Sequence, residues 1–176
     1  MPVRDIAVGQ MQRDDLDALL DADGGEWWQR SRDVWQRRLD AQDRGMMHLA
    51  LARSDGKISG YGYLNFESLY PFFRNQRIPE IGDLRVAERF RGQGVATKIM
   101  RYLENCARAA GACEIGLAVG LYADYGAAQR LYVRLGYLPD GHGVTSHHKA
   151  VAGGETVRVD DDLVLWLIKP QTAVKD

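Results

Sequence analysis

The chain has 176 residues, 45% of them apolar and 27% charged, with a formal net charge of -1. That is the balance of a soluble globular domain long enough to bury a core, and a near-neutral chain lacks the basic surface that non-specific nucleic-acid binding requires. No run approaches the ~18 apolar residues of a membrane span, and the opening MPVRDIAVGQMQRDD lacks the unbroken apolar stretch of a signal peptide. The expectation is a cytoplasmic protein with neither a nucleic-acid nor a membrane partner.

In chain order, Val3 to Val8 reads as a first strand. Asp14 or Asp15 can cap a helix with Leu16, Leu19 and Leu20 at helical spacing, and Gly24-Gly25 interrupts it. A second helical stretch runs from about Glu26 to Asp43, with Trp28, Trp35 and Leu39 on one side. Trp27 and Trp28 at its start read as core packing, with a pocket wall as the alternative. Met46 to Phe66 reads as a hairpin: Met47, Leu49 and Leu51 alternate, Ser54-Asp55-Gly56-Lys57 supplies a turn, and Ile58, Leu64 and Phe66 face away from Tyr61 and Tyr63. Glu67 to Arg77 reads as a loop with exposed aromatics, Tyr70, Phe72 and Phe73.

Ile78 to Val86 is the next strand. From Gly94 to about Ala110, the residues Val95, Ile99, Met100, Leu103, Cys106, Ala107 and Ala110 form a helical stripe, and Gly111 terminates it. Ala112 to Val119 is an apolar strand. Asp124 caps a helix carrying Ala128, Leu131, Tyr132 and Leu135, and Gly136 ends it. Strands from Tyr137 to about His148 and from Leu163 to Ile168 follow, the second after the acidic turn Asp160-Asp161-Asp162. The strand–helix–strand unit from Ile81 to Val119 should make a parallel pair. Cys106 and Cys113 form no C-x-x-C pair, and the four histidines do not complete zinc spacing, so no metal is expected and both cysteines read as buried small apolar residues.

Chemistry concentrates in Ile81 to Thr97, where an Arg- and Gly-rich loop joins a strand to a helix start. A helix start offers unpaired N–H groups and a partial positive charge, glycine lets an anion approach the backbone, and Arg89 and Arg91 add charge. Three phosphate loops compete. The P-loop pattern G-x-x-x-x-G-K-S/T is absent. The dinucleotide pattern fails because Thr97 stands where its third small residue should be, Ala87 to Arg91 separate the glycines from their strand, and Glu114 begins its strand instead of ending one.

The third is the coenzyme A loop of the GCN5-related N-acetyltransferase (GNAT) superfamily, which the chain resembles over most of its length. Arg89-Phe90-Arg91-Gly92-Gln93-Gly94 matches the family pattern Gln/Arg-x-x-Gly-x-Gly/Ala. Leu84-Arg85-Val86 is similar to the end of the family's fourth strand. Leu131-Tyr132-Val133-Arg134-Leu135-Gly136-Tyr137 resembles its Leu-Tyr-x-x-x-Gly-Phe/Tyr helix ending. The resemblance implies an α/β fold with a mixed, mostly antiparallel sheet of about seven strands, a splayed parallel central pair and about four flanking helices, in one domain covering residues 1–176.

It also implies acetyl transfer from acetyl-coenzyme A to a primary amine. The backbone of Leu84, Arg85 and Val86 would pair with pantetheine. Arg89, Arg91 and the N–H groups of Gly92, Gln93, Gly94, Val95, Ala96 and Thr97 would hold the pyrophosphate. Tyr132 aligns with the tyrosine that protonates the departing thiolate, and a backbone N–H near Leu84 with the oxyanion donor. Glu80 lies near the family's basic glutamate, with Asp83 and Glu67 as alternatives and a water relay without a single base as another. The family often has Asn where Tyr125 stands, so that contact does not carry over. The acidic turn at Asp160 to Asp162 reads as solvated or as attracting a cationic amine. The compact chain favours a small-molecule amine; a protein or peptide acceptor, or a non-catalytic acyl-coenzyme A sensor, are the alternatives. Family members often dimerise, which makes a homodimer an expectation.

Overall fold

The computed structural model describes residues 5–22 and 30–171. Their elements, in chain order, are β1 (Ile6–Gln10), α1 (Asp15–Asp21), α2 (Arg32–Asp43), β2 (Met47–Ser54), β3 (Lys57–Asn65), α3 (Pro71–Gln76), β4 (Glu80–Val86), α4 (Val95–Ala109), β5 (Glu114–Gly120), α5 (Gly126–Arg134), β6 (Leu138–Ser146), β7 (Lys149–Ala150) and β8 (Leu163–Pro170). The strands form a mixed, mostly antiparallel sheet of eight, ordered β1-β2-β3-β4-β5-β8-β6-β7. The count exceeds the expected seven by the two-residue β7. The chain divides into two compact units, Met1–Asn65 with Gly82–Cys106, and Phe66–Ile81 with Ala107–Asp176. Trp27, Trp28 and Val3 lie outside the described residues.

In the first unit, Ser31 caps α2 by accepting the Val34 N–H at 3.4 Å. Trp35 and Leu39, one turn apart, then face the sheet and join Leu16, Leu19, Leu49, Leu51, Ile58 and Tyr61 in one apolar cluster. Burying such side chains supplies about 1.5–3 kcal/mol each. The Asp55-Gly56 turn takes positive φ at both residues, +50° and +77°, as a two-residue hairpin turn demands. The expectation that Ile58 and Tyr61 face opposite ways is corrected. Arg53 pairs with Ile58 and Ala52 with Gly60, leaving Ser59 as an extra residue. That bulge turns Ile58 onto Tyr61's side.

Helix α4 buries Val95, Ile99, Met100, Leu103 and Ala107. It lies directly on β3 because Gly60 has no side chain. A Cβ there would stand 3.0 Å from Ile99 and 3.1 Å from Val95. The start of α4, and the loop that leads into it, are positioned by this contact.

In the second unit, β4 pairs in parallel with β5 through Glu80↔Gly116 and Ile81↔Leu117, and the ladder stops there. Antiparallel β8 and β6 extend the sheet. The stretch expected as a loop with exposed aromatics holds α3, a fifth helix. Pro71 starts it, and Arg77, left-handed at φ 55°, ends it. Tyr70 and Phe73 are buried with Ile78 and Trp166. The aromatics there mark a satellite core that a short, weakly periodic segment does not announce. Two smaller expectations are also corrected. Asp124 does not cap α5, whose N-cap is Tyr125. Cys113 is exposed and Cys106 half-buried, both free. Among the described residues, no helix is long and apolar enough to cross a membrane.

Candidate active site

The Arg-Gly loop has the geometry of an anion cradle. Gly92 and Gly94 take φ of +72° and +89°, and nothing lies within 4 Å of where a Cβ would stand on either. The space in front of both is open to a ligand. The first intrahelical bond of α4 runs from the Lys98 N–H to the Gly94 carbonyl at 3.0 Å. The N–H groups of Val95, Ala96 and Thr97 therefore precede the helix's own ladder. Two side chains tie the loop together: Arg91 Nε donates to the Val86 carbonyl at 3.3 Å, and Gln93 Nε2 donates to the Arg89 carbonyl at 2.8 Å. Arg89 stacks its guanidinium 4.8 Å over Phe90, whose ring is buried. Thus Arg91 and Gln93 shape the loop, and both arginines bring positive charge to an exposed rim. These residues suit a phosphate. Replacing Gly94 by Leu should raise the Kd for acetyl-coenzyme A at least ten-fold by calorimetry. The protein would stay folded, because the left-handed backbone costs an L-residue only about 1–2 kcal/mol. An unchanged Kd would remove the cradle.

On β4, Asp83 is a non-glycine residue at φ +48°. Its carboxylate takes Arg38 Nη2 at 2.8 Å, Arg85 Nε at 3.0 Å and Arg30 at 3.2 Å. Despite burial, these guanidinium groups hold its pKa down to about 2. An acid that weakly basic cannot accept a proton from an amine near neutral pH, which argues against Asp83 as the base.

Glu80 has the opposite environment. Burial raises its pKa, and the Ser68 hydroxyl, donating at 2.5 Å, lowers it in part. Ser68 Oγ also accepts the Tyr70 N–H at 3.0 Å, so its one proton is left for Glu80. Tyr70 is itself pinned, its hydroxyl donating to Asp140 at 2.8 Å and its ring stacked 4.1 Å from Trp166. Glu80 lines a pocket of about 130 Å³ with Ala118, His147, His148, Asp161, Asp162, Val164 and Trp166. His147 and His148 reach it from a turn with φ of +49° and +63°, and His147 Nδ1 lies 3.2 Å from Asp162. The acidic turn is therefore more than a solvated one: Asp161 and Asp162 face the same pocket. Sequence reasoning missed Ser68, the histidine turn and Trp166. Only Ser68, two residues before Tyr70-Pro71, carried a local signal, that of a side-chain turn. Ser68→Ala should cost about 1 kcal/mol of stability. It should also move the acidic limb of the kcat/KM–pH profile to higher pH, because Glu80 then loses the bond that favours its charged form. An unmoved limb would separate Ser68 from the base.

Tyr132, on α5, is buried, and that burial raises its phenol to about 12. It stays protonated across the working range and is available only as a donor. Its carbonyl accepts the Tyr137 N–H at 3.0 Å, closing the helix at Gly136, φ +88°. Tyr125 packs its ring on Gly120 and donates its hydroxyl to Asp161 at 2.9 Å. It serves the acidic turn of this unit, a different use from the Asn it replaces.

The sequence profile described as the Acetyltransferase (GNAT) family matches residues 12–137. No curated protein matches the chain. Among solved structures, an N-acetyltransferase from Staphylococcus aureus Mu50 superposes with a TM-score of 0.68 at 15% identity, over 96% of this chain and 99% of that one. An aminoglycoside 6'-N-acetyltransferase complexed with coenzyme A gives 0.65 at 17% identity, over 97% and 99%. The ribosomal-protein-S18-alanine N-acetyltransferase from Escherichia coli gives 0.66 at 13% identity, over 98% and 97%. At these identities the structures establish a shared fold.

Proposed function

Since the chain belongs to the acetyltransferase (GNAT) family, and is an N-acetyltransferase on that ground, we propose that it transfers the acetyl group of acetyl-coenzyme A to a primary amine of a small molecule, as one N-acetyltransferase domain. The observation that carries the acceptor reading is the buried, elevated Glu80 in a pocket walled by Asp161, Asp162 and Trp166. A primary ammonium has a reference pKa of about 10.4, so it must lose a proton before it attacks. Glu80 takes that proton. Attack is direct, within a ternary complex, and Tyr132 gives its proton to the departing thiolate. In the donor half, the N–H groups of Gly92 to Thr97, with Arg89 and Arg91, hold the pyrophosphate, and the backbone of Leu84 to Val86 pairs with pantetheine.

A pocket of about 130 Å³ suits an amine head on a short chain. One neighbour acts on a ribosomal-protein alanine, which keeps a peptide amine as the second reading. The test is an amine panel incubated with acetyl-coenzyme A and read as free thiol. Release with small aliphatic amines supports the first reading. Release only with peptide N-termini replaces it by the second. Tight acetyl-coenzyme A binding without release across the panel overturns both in favour of a sensor.

A further inference from the structure

Three guanidinium groups surround one carboxylate in the first unit. Arg30, Arg38 and Arg85 all bond to Asp83, whose side chain is 7% exposed. Asp83 stays ionised at any working pH, so these four groups carry a net positive charge of two, and the ion pairs among the described residues do not offset it. Arg38 is only 14% exposed. Its guanidinium is fixed by stacking, 4.9 Å from the Trp35 ring and 5.0 Å from that of Tyr63. Yet among the described residues its Nη1 is buried with no hydrogen-bond partner, and so is the indole N–H of Trp35 beside it. A buried donor left unpaired is costly, and such groups are rare in folded proteins unless something else satisfies them. Arg30 and Arg85, by contrast, are 41% and 50% exposed, which leaves the excess charge open to solution. One arginine neutralises one carboxylate, so the other two guanidinium groups bring charge beyond what the pair requires. The surplus here has the planar, multidentate donor geometry that arginine offers to oxyanions. Asp83 and Arg85 flank Leu84, so an anion held here belongs to something bound along this strand.

We infer that the Arg30–Arg38–Arg85 cluster is an oxyanion subsite that takes a carboxylate of the acceptor, so that the substrate is an amine that also bears an acid. The inference rests on the acetyltransferase reading for its reaction and, for its chemistry, on the charge count and the exposed guanidinium groups of Arg30 and Arg85, with the orphaned Nη1 of Arg38 behind them as donor capacity that the described residues leave unused. The other source of an oxyanion is a phosphate of the donor.

The experiment uses matched pairs, β-alanine with β-alaninamide and lysine with lysinamide, under saturating acetyl-coenzyme A. The carboxylates should exceed their amides in kcat/KM by ten-fold or more. Arg30→Gln, at an exposed position, should cut that preference at least five-fold through KM, with the Kd for acetyl-coenzyme A unchanged. Arg38→Met, which keeps an apolar stem against Trp35 and Tyr63, should do the same. Equal use of acid and amide overturns the inference. So does a loss of acetyl-coenzyme A affinity in Arg30→Gln with the acid preference intact, since that assigns the cluster to a donor phosphate. If no pair is acetylated, the small-amine reading has failed separately, and the subsite is read from Tm. Stabilisation by millimolar acid but not amide, lost in Arg30→Gln, supports it; the same Tm with both overturns it.

Discussion

Glu80→Gln should lower kcat/KM by about 10²–10³-fold, within the range a positioned general base contributes. Glutamine is close in shape, can still accept the Ser68 hydroxyl, and cannot take a proton. The fold should survive, because the substitution removes a charge that burial already disfavours. The sign of the pH dependence follows. A raised carboxyl pKa means that the basic form is lost as pH falls through that raised value, so wild-type kcat/KM should decline on the acid side. Glu80→Gln should be slow at every pH and lack that limb. Stability moves the other way: below the raised pKa the buried group is neutral, so Glu80 itself penalises folding less in acid. If Glu80→Gln retains full turnover, the proton leaves through water and the pocket's carboxylate only attracts the amine.

Tyr132→Phe should reduce kcat about 10²-fold, roughly 2.7 kcal/mol on the barrier, while KM for the amine and the Kd for acetyl-coenzyme A change little. A phenol raised to about 12 is a weaker acid than an ordinary thiol, whose reference pKa is about 8.5, so its proton passes to the sulfur only because the buried site that disfavours the phenolate also disfavours the departing thiolate. The alternative role is packing. Tyr132 is buried and meets Tyr137 edge-on with centroids 6.2 Å apart. Phenylalanine preserves that ring contact, so Tm separates the two roles. A drop in kcat at constant Tm supports the acid; unchanged kcat assigns Tyr132 to the core.

Both sites became legible through different kinds of signal. The cradle is local in sequence: strand end, arginines, two glycines and helix start occupy consecutive positions. Their roles depend on backbone conformations that Gly92 and Gly94 themselves permit. The Glu80 pocket gathers residues from β4, β5, β8, the histidine turn and the acidic turn, which only strand pairing brings together. The arginine cluster likewise draws Arg30 and Arg38 to a carboxylate 45 or more positions away in the chain.

By itself, the sequence determined the element order apart from α3 and β7, the Asp55-Gly56 hairpin, the parallel β4–β5 pair and the family motifs. Each depends on spacing within a few turns or on chain connectivity. The tertiary structure decided that the Glu67 to Arg77 segment holds a helix over a buried aromatic core, that a bulge at Ser59 reverses part of β3, and that Glu80 and Asp83, three residues apart on one strand, have opposite electrostatics. A carboxylate's basicity is set by what surrounds it: Ser68 and buried apolar walls around one, three guanidinium groups around the other. That difference lies in long-range contacts, which no local pattern encodes.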